Sequence, residues 1–165
     1  MDWIDDLSRA WSREYPDFDT ASFPPLVRLA RLGLLIERFQ QEVVAPFEIS
    51  AGDYGVLAAL RRAGRPYALK PSNLYVRLHR SSGGMTKTLK KLEEQGLVER
   101  SPDPNDGRGS LVSLTPAGLE LQDEIFQAFL LASQSLLAPL SESRLRADDE
   151  ALRELLAIFE ERLSR

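Results

Sequence analysis

Thr86, Lys87, Lys90 and Lys91 fall at the spacing of one helical face, directly behind a run of small residues, Ser81, Ser82, Gly83 and Gly84. Hydroxyl and ammonium groups on such a face can meet phosphates and base edges in a major groove. A helix opened by Ser82, Gly83 and Gly84 offers free N–H groups to a phosphate, with no bulky side chain in the way. Further along, Asp106 and Arg108 sit in a stretch dense with turn formers, which places a guanidinium at the tip of a hairpin. From there it can reach an adjacent minor groove, with Asp106 placed to hold it by an ion pair. Each part has a plainer reading: a solvated lysine face, a serine cap, glycines that relieve helix crowding, and turn chemistry at Asp106-Gly107. Their order, on one basic stretch of the chain, points to DNA.

These side chains need elements to hold them. A short N-terminal helix is followed by a loop over residues 16–25, which contains Pro16 and the pair Pro24-Pro25. Leu29, Leu32, Ile36 and Phe39 form a helical stripe that ends near Pro46. Ser50 and Asp53 have the spacing of a capping box ahead of Val56, Leu57 and Leu60, and that helix stops near Gly64-Arg65-Pro66. Pro71 opens a short helix to Leu78. The next helix, capped by Ser81 or Ser82, turns Met85, Leu89 and Leu92 inward and ends at Gly96.

The period then changes. Leu97 to Ser101 and Ser110 to Leu114 read as strands, joined by a long tip over residues 102–109. Thr115-Pro116 starts a helix that breaks near Pro139, and a last helix carries Leu152, Leu155, Leu156, Phe159 and Leu163. Two short helices joined by a tight turn, then a hairpin, make a winged helix-turn-helix. The expected fold class is mostly α (α+β), a single domain with a winged DNA-binding region at 49–115. Its helical dimerisation regions are expected at 1–48 and 116–165. The long helices carry more apolar surface than the small central unit can cover. Packing across a two-fold axis would cover it; folding back on their own domain is the other solution.

Charge sharpens the argument. The chain has 165 residues and a net charge of −4, which looks wrong for a polyanion binder. Residues 61–108, however, hold 11 Lys and Arg against 5 Asp and Glu, while each flank holds 5 against 10. Binding to nucleic acid is therefore confined to the middle. With 43% hydrophobic and 28% charged residues the composition suits a packed domain with a polar surface. The longest apolar run, Tyr54 to Leu60, is too short for a membrane span, and the acidic N-terminus lacks the basic start of a secretory signal. A reducing cytoplasm is the expected compartment.

Enzymatic readings fail on residue types. The chain has no cysteine and one histidine, His79. Thiolate nucleophiles and Cys-type zinc sites are thereby excluded and His-based metal sites and triads disfavoured; no metal or cofactor is expected, with a carboxylate site for a hard cation left open. No nucleophile elbow, HExxH motif or phosphate-binding glycine loop occurs. Asp148-Asp149-Glu150 reads as acids favouring a helix N-terminus. His79, beside Arg80 at the turn of the motif, reads as a plain turn residue, a phosphate contact or a pH-sensitive contact.

The run Ser81-Ser82-Gly83-Gly84-Met85-Thr86-Lys87, with Leu92-Glu93 and Gly96-Leu97-Val98-Glu99-Arg100, resembles the recognition helix and first wing strand of the MarR family. Asp103-Pro104-Asn105-Asp106-Gly107-Arg108, then Val112, Leu114-Thr115 and Gly118, resembles that family's wing, the likeness covering at least residues 50–121. The resemblance implies a homodimeric transcriptional regulator on a palindromic operator, commonly a repressor released by a small, often aromatic, ligand. Two departures stand out. Gly107 replaces the first arginine of the usual Asp-Arg-Arg run, and Lys70 replaces a serine cap before Pro71, which weakens the cap while adding charge near the phosphates.

The resemblance also implies an effector cleft between helical and winged regions. Trp11, Tyr15 and Tyr54 are its candidate lining, as aromatic faces with polar tips; the plainer reading puts all three in the core. Two rivals remain open at the level of sequence. One is a winged-helix module docking an acidic protein partner, and the other an architectural DNA binder without effector control.

Overall fold

The computed structural model describes residues 2–78, 82–104 and 106–163, and for Arg77, Ser82, Gly107 and Arg108 the backbone alone. Helix α1 (Trp3–Glu14) opens on a reciprocal cap: Asp2 accepts from the Ile4 and Asp5 amides, and its own amide donates to Asp5. Helix α2 (Phe23–Val44) starts earlier than the prolines suggest. Pro24 and Pro25 sit in its first turn, where an N–H has no intrahelical partner to lose. A 3-10 turn, Ala45–Phe47, ends it at Pro46.

Helix α3 (Ala51–Arg62) begins at Ser50, whose hydroxyl accepts from the Asp53 amide at 3.1 Å. Helix α4 (Pro71–Arg77) follows with no side-chain cap from Lys70, then α5 (Ser82–Glu94). Their inner faces form the core: Val56, Leu57 and Leu60 meet Leu74, Met85, Leu89 and Leu92, all essentially buried. At the end of α5, Gly96 takes φ 69°, the left-handed turn that closes a helix and that glycine adopts without strain.

Strands β1 (Ala68–Leu69), β2 (Val98–Asp103) and β3 (Asp106–Leu114) form an antiparallel sheet in the order β1-β3-β2. The pairing runs Val98 with Leu114, Arg100 with Val112 and Pro102 with Ser110, then jumps to Asp103 with Asp106. Residues 107–109 therefore bulge out of β3. The hairpin differs from its expected form: the ladder continues to Asp103 and Asp106, so the long tip shrinks and Arg108 lies in the bulge instead. A bulge lets strand pairing continue past residues that have no partner opposite. The two-residue β1 carries too little pattern to be read from sequence.

Helix α6 (Pro116–Leu137) opens on Thr115, whose hydroxyl accepts from the Gly118 amide and donates to the Gly96 carbonyl at 2.7 Å. Gly118 is there for space: a Cβ would lie 1.9 Å from the Leu97 carbonyl oxygen. Helix α7 (Glu142–Leu163) follows. Asp148 and Asp149 fall in its interior, not at its N-terminus, and pair one turn away with Arg144 and Arg153.

The chain forms two compact units, Met1–Phe126 and Gln127–Arg165, with the boundary inside α6. The first joins α1 and α2 to the winged helix-turn-helix. No single helix among the described residues is long and apolar enough to cross a membrane.

Candidate nucleic-acid interface

Helix α5 has two opposed faces. Met85, Thr88, Leu89 and Leu92 are buried, whereas Gly83, Gly84, Thr86, Lys87, Lys90 and Lys91 are exposed. A Cβ on Gly83 would meet nothing within 4 Å, so this glycine does not relieve helix crowding; it leaves the helix start open to an approaching backbone. Ser81 and His79 lie outside the described residues, as do the side chains of Ser82 and Arg108.

The three lysines differ in their neighbours. Lys87 pairs with no carboxylate among the described residues. Lys90 is 3.6 Å from Glu94, an exposed pair one turn apart that water screens. Lys91 is bound to Asp53 of α3 at 2.6 Å, and that carboxylate is only 7% exposed. Burial pushes the Asp53 carboxyl up, but hydrogen bonds from Lys91 and Ser50, with the Lys91 charge, hold it below the ordinary carboxylate value. Lys91 thus fastens the lysine-bearing helix to the scaffold.

At the wing, Asp106 pairs with Lys70, 3.2 Å away, and Lys70 also reaches Asp103 at 2.8 Å. The expected hold of Asp106 on Arg108 falls on a side chain outside the described set. Hydrogen bonding to Asp103 and then to Asp106 raises the Lys70 ammonium above its ordinary value. Sequence reasoning saw Lys70 as a lost cap and an added charge near phosphate. Its partners lie 33 and 36 residues away, and no local spacing announces them.

The proposed effector residues divide. Trp11 and Tyr15 line an open surface depression of about 400 Å³ with Phe18, Asp19 and Phe23; its lining comes from α1 through the start of α2, and not from the winged region as expected. Trp11 and Tyr15 have ring centroids 5.6 Å apart, and Trp11 meets Phe23 edge-on at 6.5 Å. Tyr54 does not line this depression. It sits half-buried on α3, where burial raises its phenol above the ordinary value and a hydrogen bond with Gln122 of α6 opposes that. Among the described residues no group of three or more His, Asp or Glu is placed to hold a metal ion.

Comparison with known proteins places these features in a family. The sequence profile described as MarR family matches residues 48–109. The HTH-type transcriptional regulator PecS of Dickeya dadantii is 31% identical over 160 residues, spanning 97% of this chain and 94% of the relative. The multiple antibiotic resistance protein MarR of Escherichia coli is 33% identical over 138 residues, 81% and 91% of the two chains. Among solved structures, an E. coli MarR cysteine-to-serine mutant complexed with operator DNA superposes with a TM-score of 0.70 at 29% identity, covering 85% and 99%. AbsC of Streptomyces coelicolor shares the fold, with a TM-score of 0.75 at 20% identity over 87% and 97%.

Proposed function

The chain belongs to the MarR family of winged-helix transcriptional regulators, and we propose that it acts as a homodimeric repressor gripping a palindromic operator until a small aromatic ligand releases it. It is a DNA-binding transcriptional regulator and not an enzyme. In the proposed complex the start of α5 approaches a phosphate through Ser81, Ser82, Gly83 and Gly84. Thr86, Lys87 and Lys90 face the major groove, and Arg108 follows the adjacent minor groove from the wing.

The observation that carries this reading is the two-faced α5. Its apolar side is buried to the last residue, and its hydroxyl and ammonium groups stand in solvent on the one basic stretch of an acidic chain. Lys91 belongs with the scaffold instead, holding that face at a fixed angle through Asp53. That the E. coli relative is solved in complex with operator DNA supports duplex DNA as the partner.

Two-fold pairing is supported by the apolar stripes that remain exposed: Leu32, Leu35 and Ile36 on α2, and Leu152, Leu156, Phe159 and Leu163 on α7. Across a two-fold axis the same patch covers itself, which is the commonest solution for such a surface. For the ligand, the open depression beside Trp11 and Tyr15 supplies aromatic faces on which a small aromatic molecule could stack.

A mobility-shift titration on the protein's own upstream DNA tests the reading. The complex should form on that duplex in preference to a scrambled one at both low and moderate salt, and candidate aromatic ligands should release it. Equal affinity for both duplexes would leave a docking or architectural protein, and a complex indifferent to every aromatic ligand would remove the effector.

A further inference from the structure

Outside the sheet the wing is tied to the helix-turn-helix by Arg100, 3.3 Å from Glu93 of α5, and, nearer the bulge, by Lys70. Lys70, the residue before α4, extends its ammonium between two carboxylates of the hairpin, Asp103 at 2.8 Å and Asp106 at 3.2 Å. Asp103 is only 3% exposed, whereas Lys70 is 42% exposed, so the contact spans the edge of the packed region. The two acids face each other across the strands at the register shift, where the bulge begins. Gly109 closes the arrangement from the other side, because a Cβ there would lie 2.9 Å from the Asp106 carboxylate.

We infer that Lys70 is a positioning residue for DNA binding: by clasping Asp103 and Asp106 it sets where the bulge that carries Arg108 sits relative to α5. The inference rests on the reading that the wing meets the duplex. It assigns Lys70 a role other than a phosphate contact, since two carboxylates already surround its charge. Without the clasp, Asp103 and Asp106 lose the ammonium that ties them to the start of α4, and the bulge loses that hold while Arg100 and Glu93 still join β2 to α5. A serine at this position could cap α4 but could not reach across to the wing.

Two measurements on Lys70→Met, Lys70→Arg and Arg108→Ala test this. Hydrogen exchange of the hairpin amides at 103 and 106–110, in the free protein, reads the clasp without DNA. Operator affinity across a salt series reads its effect on binding. Lys70→Met should speed exchange at those amides and weaken operator binding about three- to tenfold, with an unchanged salt slope. Lys70→Arg should restore both. Should Lys70→Met fold poorly, Lys70→Gln removes the charge while keeping a polar side chain at the same place and reads the same contact. Unchanged exchange overturns the clasp, and a salt slope reduced by about 0.9 makes Lys70 a phosphate contact instead. Faster exchange with unchanged affinity overturns the positioning role; if Arg108→Ala is then also silent, the failure lies in the wing reading.

Discussion

Lys87 and Lys91 stand four residues apart on one helix, yet their surroundings differ. Lys87 meets no carboxylate among the described residues, while Lys91 lies 2.6 Å from the nearly buried Asp53. Substituting Lys87 with Ala should reduce the slope of log affinity against log salt by about 0.9, with little change in stability. Lys91→Met should instead destabilise the fold by about 1–3 kcal/mol in urea titration, because it strands the Asp53 charge, a cost moderated by the half-exposed position of Lys91. The pair also makes a signed prediction for pH. The Asp53 carboxyl is depressed when folded, so its contribution is complete above the ordinary carboxylate value of 3.8 and is lost as pH falls through the lower folded value. Acid unfolding of Asp53→Asn with Lys91→Met should therefore lack that component. The exposed lysine face was legible in the sequence because periodicity shows it. The choice between phosphate and Asp53 was not, because the deciding partner sits 38 residues away.

The elements were legible wherever one residue carries the signal. Thr115-Pro116 opens α6, Gly96 closes α5, and Met85, Leu89 and Leu92 give the buried face of the recognition helix. Prolines misled in one place: Pro24 and Pro25 were read as loop and lie in the first turn of α2, where helices tolerate them. Hairpin register was the other loss. It depends on how far a ladder extends before a bulge intervenes, which a turn-rich composition cannot specify. At the junction of β2, β3 and α6, Gly118 has no room for even one methyl group against the Leu97 carbonyl. Gly118→Ala should lower stability by at least about 2–3 kcal/mol, seen as a reduced denaturation midpoint, by forcing α6 away from the sheet. A midpoint equal to wild type would mean the helix start can shift freely.

For the whole molecule, the division of charge and the uncovered apolar faces belong to one design. The basic stretch is confined to residues 61–108, the acidic flanks carry the exposed leucine stripes, and two copies joined by those stripes would present two recognition helices to one duplex. Leu156→Glu, placed in the middle of the α7 stripe, should shift sedimentation from dimer towards monomer and weaken operator binding together, since each half-site alone binds poorly. Unchanged sedimentation would place the interface elsewhere. The most direct test of the account is a hydroxyl-radical footprint on the protein's own upstream DNA. Two protected patches related by a two-fold axis and separated by one helical turn, about 10–10.5 bp, or a multiple of it, are the predicted result. Uniform protection without periodicity, or none at a concentration that saturates the shift assay, would contradict it.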